Sequence, residues 1–149
     1  MFEFKDFDFL TDGEIDLRIL KKQPVNEERG FVPAYIYVIN LHGKSETIGE
    51  INLRIGNNEG VFYGGHIGYA IVKEYRGNNY AAKACNLLKQ VARAHEMNEL
   101  FITCNPNNIP SQRTCEKLGA TLFEVVDLPE YNDMYQEGER QKCRYKLVL

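Results

Sequence analysis

"HIGYAIVKEYRGNNYAAKACNLLKQVARA", residues 66–94, contains a change of period. Its first part extends the apolar, β-prone run "GGHIGYAIV" (64–72), whose glycines suit close approach of another backbone or a ligand. From Asn79 to Met97 the spacing changes. Tyr80, Ala84, Leu87, Leu88, Val91 and Ala94 recur at three- and four-residue steps, which predicts an amphipathic helix. A short turn around Arg76 and Gly77 joins the two. Where a strand turns sharply into a helix, the free N–H groups of the first helical turn converge with the positive end of the helix dipole. That point suits a phosphate or pyrophosphate. Arg76 adds a fixed positive charge, and Ala81 is small enough to let an anion approach. Many helices begin after such a turn and bind nothing, so the motif needs a companion.

Upstream the pattern is an antiparallel meander. "IDLRILKK" (15–22), "AYIYVIN" (34–40) and "IGEINLRIG" (48–56) read as strands, rich in β-branched and aromatic residues. "PVNEERGFVP" (24–33), broken by two prolines, reads as a loop, and "NNEG" (57–60) as a tight hairpin turn. Downstream, "LFITC" (100–104) is a short apolar strand. Asn108 caps a second helix that tolerates Pro110 in its first turn and stops at Gly119. "TLFEVV" (121–126) and "KCRYKLVL" (142–149) are the last strands, separated by a long polar loop. A strand–helix–strand unit inside an otherwise antiparallel sheet indicates a mixed α/β, α+β-like domain. No linker, repeat or low-complexity tract interrupts residues 1–149, so a single domain is expected.

Composition narrows the function classes. The net charge is -3 and no lysine- or arginine-rich stripe occurs, so no nucleic-acid partner is expected. No apolar run approaches the roughly 20 residues that span a bilayer, so no membrane partner is expected. "MFEFKDFDFL" sets acidic residues among phenylalanines, unlike a signal or transit peptide, and the expected location is the cytoplasm. The four cysteines form no C-x-x-C pair or zinc pattern, and the three histidines form no H-E-x-x-H motif. Reduced, buried thiols and no metal site are expected.

The companion motif is "CNPNNIPSQRTCEKLGA" (104–120), a strand end, an asparagine-rich turn and a short helix. Together the two units resemble the GNAT superfamily of N-acetyltransferases. The first unit of that family reads R/Q-x-x-G-x-G/A, and here Arg76-Gly77-Asn78-Asn79-Tyr80-Ala81 takes its place. The second reads N-x-x-S followed by E-K-L-G-F/A, matched by Asn108, Ser111 and Glu116-Lys117-Leu118-Gly119-Ala120. The resemblance runs from about Gly49 to Val126, just over half of the chain.

It implies a GNAT-type domain with a central, mostly antiparallel mixed sheet and a parallel strand pair at the cofactor unit. It also implies acetyl-coenzyme A as the acyl donor and a small-molecule or peptide amine as acceptor. The amides of Gly77, Asn78, Asn79, Tyr80 and Ala81 would hold the pyrophosphate, with Arg76 at the start of the loop. Ile71 and Val72 would pair with the pantetheine arm through their backbone, and Asn108 and Ser111 would lie along the cofactor. The thioester would sit where the strands ending in Val72 and Cys104 splay apart. Edge-strand pairing between subunits, as in a homodimer, is also frequent in the family.

Three departures stand out. Asn79 replaces a glycine, yet asparagine is the non-glycine residue most at ease with positive φ. Cys115 stands where many members carry a tyrosine that protonates the departing thiolate. The two helices that usually line the acceptor pocket give way to about a dozen loop residues near Gln23 to Pro33, a reduced N-terminal helical region. Glu50 and His66 are the candidate bases, each in a central strand near the presumed acceptor side. In the last loop Tyr131, Asp133 and Tyr135 offer aromatic and charged groups for a cationic amine. A coenzyme A-binding module without catalysis is the alternative reading.

Overall fold

A computed structural model describes residues 1–149. Alternating burial builds a five-stranded sheet from β1 (Phe9–Thr11), β2 (Ile15–Gln23), β3 (Ala34–Leu41), β4 (Thr47–Arg54) and β5 (Ile67–Ile71), paired in that order. Three further strands, β6 (Glu99–Cys104), β7 (Thr121–Asp127) and β8 (Gln141–Val148), pair in the order β6-β8-β7. The helices are α1 (Glu59–Gly64), α2 (Tyr80–Ala94), α3 (Ile109–Lys117) and α4 (Asp133–Gln136). Tyr35, Tyr37, Ile51 and Leu53 of the larger sheet join Leu88 and Val91 of α2 and Leu100 and Ile102 of β6 in one core. All four cysteines are free and buried. No helix is long and apolar enough to cross a membrane. No helix precedes Glu59, so the N-terminal region is reduced to strands and loops.

The mixed α/β, mostly antiparallel class holds, with one correction. Every strand pairing is antiparallel, and the expected parallel pair between β5 and β6 is absent as a ladder. The two strands meet where His66 N–H donates to Phe101 O at 2.7 Å. Phe101 N–H donates in turn to the ring of His66 at 2.9 Å, and beyond this junction the strands separate. Gly65 makes the meeting possible: a Cβ there would lie 3.0 Å from Thr103 N and 3.1 Å from Phe101 O.

"NNEG" is also corrected. It opens a helical turn, because Asn58 accepts the Val61 N–H at 2.8 Å and caps α1. β4 and β5 still pair antiparallel, joined through α1. The last loop likewise contains the short α4, capped by Asn132.

Candidate active site

The turn before α2 takes the conformation its residues allow. Gly77 has φ 87 and Asn79 has φ 64, both left-handed. Asn79 is the N-cap of α2 and makes no side-chain capping bond. The N–H groups of Gly77, Asn78, Asn79, Tyr80, Ala81 and Ala82 donate no hydrogen bond within the chain. They form a patch of unspent donors at the positive end of a 15-residue helix. Arg76 folds back, its Nε donating to Ile71 O at 2.9 Å.

This patch opens onto a cavity of about 760 Å³. The lining runs from Arg76, Gly77 and Asn79 along β5 to Gly64, Thr103, Asn105 and Lys142. It therefore occupies the gap between β5 and β6. Arg76, Arg113, Lys117 and Lys142 line it, and no carboxylate does. On a chain of net charge -3, that is a local concentration of positive charge.

Ile71, Arg76, Gly77, Asn79, Tyr80, Ala81, Asn108 and Ser111 all line the cavity, while Val72 and Asn78 do not. Val72 N–H is spent on Ile48 O at 2.8 Å. By antiparallel alternation the main-chain groups of Tyr69 and Ile71 then face the open edge of β5. The pairing edge is thus Tyr69 and Ile71, a one-residue correction to Ile71 and Val72. Asn108 accepts the Ser111 N–H at 3.2 Å and caps α3. This orients Ser111, whose hydroxyl lies 2.7 Å from that of Tyr69. Burial pushes the Tyr69 phenol up to about 12, so it remains a neutral O–H. Cys115 is wholly buried, and burial pushes its thiol up to about 12. It is a core residue and supplies no group to the cavity.

His66 has another task. It is 3% exposed, its Nδ1 accepts Phe101 N–H, and its Nε2 lies 3.1 Å from Asn57 Oδ1. The acceptor role of Nδ1 puts the proton on Nε2, which donates to Asn57. Burial lowers its pKa to about 4. Both nitrogens are engaged, so His66 has no lone pair for a substrate and does not serve as the base. Glu50 is exposed on β4 opposite Ala70, one strand from the cavity that Ala70 lines.

Tyr131, Asp133 and Tyr135 do not converge on the cavity. The Tyr131 hydroxyl donates to Glu59, and the Arg140 guanidinium lies 3.8 Å from the ring centre of Tyr135. These aromatic groups are already occupied, which corrects the expected amine cage. Several lining residues escaped the sequence reading. Pro110, Arg113, Thr114 and Lys117 follow one helical face of α3, beside the buried row of Ser111, Cys115 and Leu118, and that spacing was readable. Lys142 was not, because its place depends on Asn105 Oδ1 and Glu139 Oε1, each 2.7 Å from its ammonium.

A family model described as an acetyltransferase (GNAT) domain matches residues 8–121. An uncharacterized N-acetyltransferase of Bacillus subtilis, YnaD, is 28% identical over 157 residues, covering 91% of this chain and 86% of its own. The ribosomal-protein-S5-alanine acetyltransferase of Vibrio fischeri superposes with a TM-score of 0.66 at 15% identity, over 99% of this chain and 95% of its own. The microcin C7 self-immunity acetyltransferase MccE, solved with acetyl-CoA and AMP, gives a TM-score of 0.61 at 23% identity over 78% of this chain. The chain spans 61% of the length of that protein.

Proposed function

Because the chain belongs to the GNAT acetyltransferase family, we propose that it transfers an acetyl group from acetyl-coenzyme A directly to a primary amine, carried by a small molecule or a peptide N-terminus. The observation that carries this reading is the cavity between β5 and β6, with unspent N–H donors at one end and no carboxylate in its lining. The residues present fit the donor. Gly77 to Ala81 and Arg76 suit a diphosphate, and the open edge at Tyr69 and Ile71 suits the amides of an extended arm. Acetyl-coenzyme A, when bound, supplies the acyl group already activated as a thioester.

The chain's own groups divide the remaining work. Glu50 takes the proton of the acceptor ammonium, directly or through water, since an amine of pKa about 10 is protonated at neutral pH. Main-chain N–H groups of the open β5 edge would stabilise a developing oxyanion. The Ser111 and Tyr69 hydroxyls offer the hydrogen bond that Cys115 cannot. A thiol of pKa about 8.5 can leave as the thiolate without full protonation. A cytoplasmic setting fits, because all four cysteines are free. For a homodimer the candidate edge is β7, where Leu122, Phe123 and Val125 are 52%, 56% and 48% exposed; sedimentation velocity tests it.

The test of the activity is release of free thiol from acetyl-coenzyme A with a panel of amines, polyamines, amino sugars and peptide N-termini. Turnover with any amine supports the enzyme. Tight binding of coenzyme A without turnover across the panel marks a binding module, and no binding at all removes both readings.

A further inference from the structure

A diphosphate held at the start of α2 leaves two cations of the cavity unused. Arg113 and Lys117 stand one helical turn apart on α3 and both line the cavity. Neither has a carboxylate within ion-pair distance, although the chain carries an excess of acidic residues. The one partner of the Lys117 ammonium is the neutral Asn79 Oδ1, a contact that brings this α3 side chain against the start of α2. Arg113 makes no side-chain hydrogen bond at all. The donors of the loop and Arg76 already serve a diphosphate from one wall. The α3 pair faces the same cavity from the other.

We propose, on the basis of the coenzyme A reading of this cavity, that Arg113 and Lys117 form a separate subsite for a phosphate monoester dianion, the 3′-phosphate of coenzyme A. The chain thereby discriminates coenzyme A from its 3′-dephospho form. A monoester carries a charge near −2 at neutral pH, roughly −1.5 to −2, and three acceptor oxygens. The guanidinium fork of Arg113 can take two of these oxygens, and Lys117 contributes a point charge beside them. Both side chains are exposed, so the discrimination is modest and salt-sensitive.

The experiment is calorimetric titration of the full chain with coenzyme A and with 3′-dephospho-coenzyme A. The wild type is expected to bind the dephospho form about tenfold more weakly, with the gap narrowing as salt rises. In R113Q/K117Q the gap closes to within about twofold, while affinity for the dephospho form moves by less than about threefold. Both positions are exposed, and thermal melts check that the variant folds. Equal affinities in the wild type overturn the subsite. So does a double variant that loses affinity for both ligands equally, since the cations would then serve the pyrophosphate. If neither ligand binds the wild type, the cofactor reading fails and takes the subsite with it.

Discussion

At the start of α2 the cavity offers a row of main-chain donors; on the sheet side, one strand outside the cavity, the exposed groups are side chains only. The α2 end is made of N–H donors from Gly77 to Ala82, fixed by left-handed backbone at Gly77 and Asn79. The sheet side is a cross-strand row, Phe9–Arg18–Val38–Glu50–Ala70, in which Phe9, Arg18 and Glu50 are exposed and only Ala70 lines the cavity. A main-chain site tolerates side-chain exchange provided the dihedrals survive. A side-chain site changes its preference with each substitution. The first therefore suits an invariant ligand such as a diphosphate, and the second a variable acceptor.

The most damaging change to this contrast is a charge at the main-chain end. Ala81→Asp puts a carboxylate among the free N–H groups. Asp in a first helical turn is normally stabilising, so the helix persists. Two like charges about 4 Å apart at an effective dielectric near 20 repel by about 4 kcal/mol. Coenzyme A affinity should fall about a thousandfold by titration calorimetry. A loss of less than about tenfold would mean that the diphosphate does not sit at the start of α2.

The cavity opens where β5 and β6 part beyond the His66 junction, and pH tests that junction. The ordinary histidine pKa is 6.5, and burial holds His66 at about 4 in the folded chain. Above the ordinary value neither the folded nor the unfolded state is charged, and stability is complete. As pH falls below 6.5 the unfolded chain takes up a proton that the folded chain refuses, so stability drops until about pH 4. The loss attributable to this side chain is about 3 kcal/mol. Urea midpoints measured across that window should fall in the wild type and flatten in His66→Gln. A wild-type profile no steeper than that of the variant would place the pH dependence elsewhere.

Much of this geometry was legible in the sequence, for identifiable reasons. The strand-to-helix turn, the Asn108 cap and the Gly119 stop are local events, set by one or two residues each. The short α1 was missed because "NNEG" satisfies hairpin chemistry as well as helix capping, and only packing chooses between them. The missing parallel ladder was invisible because the two strands meet only at a junction between residues 35 apart, which packing sets and local sequence does not. Tyr131 and Tyr135 looked available because nothing local announces Glu59 or Arg140 as their partners.

Glu50→Gln sharpens the sheet side. The substitution keeps the shape and removes the proton acceptor. It should lower kcat by about a hundredfold, the usual scale for a general base, while coenzyme A affinity stays unchanged. Equal loss of both would assign Glu50 to the fold. No loss of either would move the base to another group on the open face.

Asn79→Gly is the smallest expected effect and the closest probe of what main-chain binding means. Asn79 holds φ 64, which glycine adopts freely and asparagine at modest cost. The N–H donor stays in place when the side chain goes. What disappears is Asn79 Oδ1, the partner of the Lys117 ammonium. If the loop binds by main chain alone, coenzyme A affinity should stay within about twofold of wild type or improve slightly as Lys117 is released. A loss of about tenfold or more would show that the asparagine amide itself touches the ligand. The distinction between main-chain and side-chain binding would then fail at the residue where it is drawn most finely.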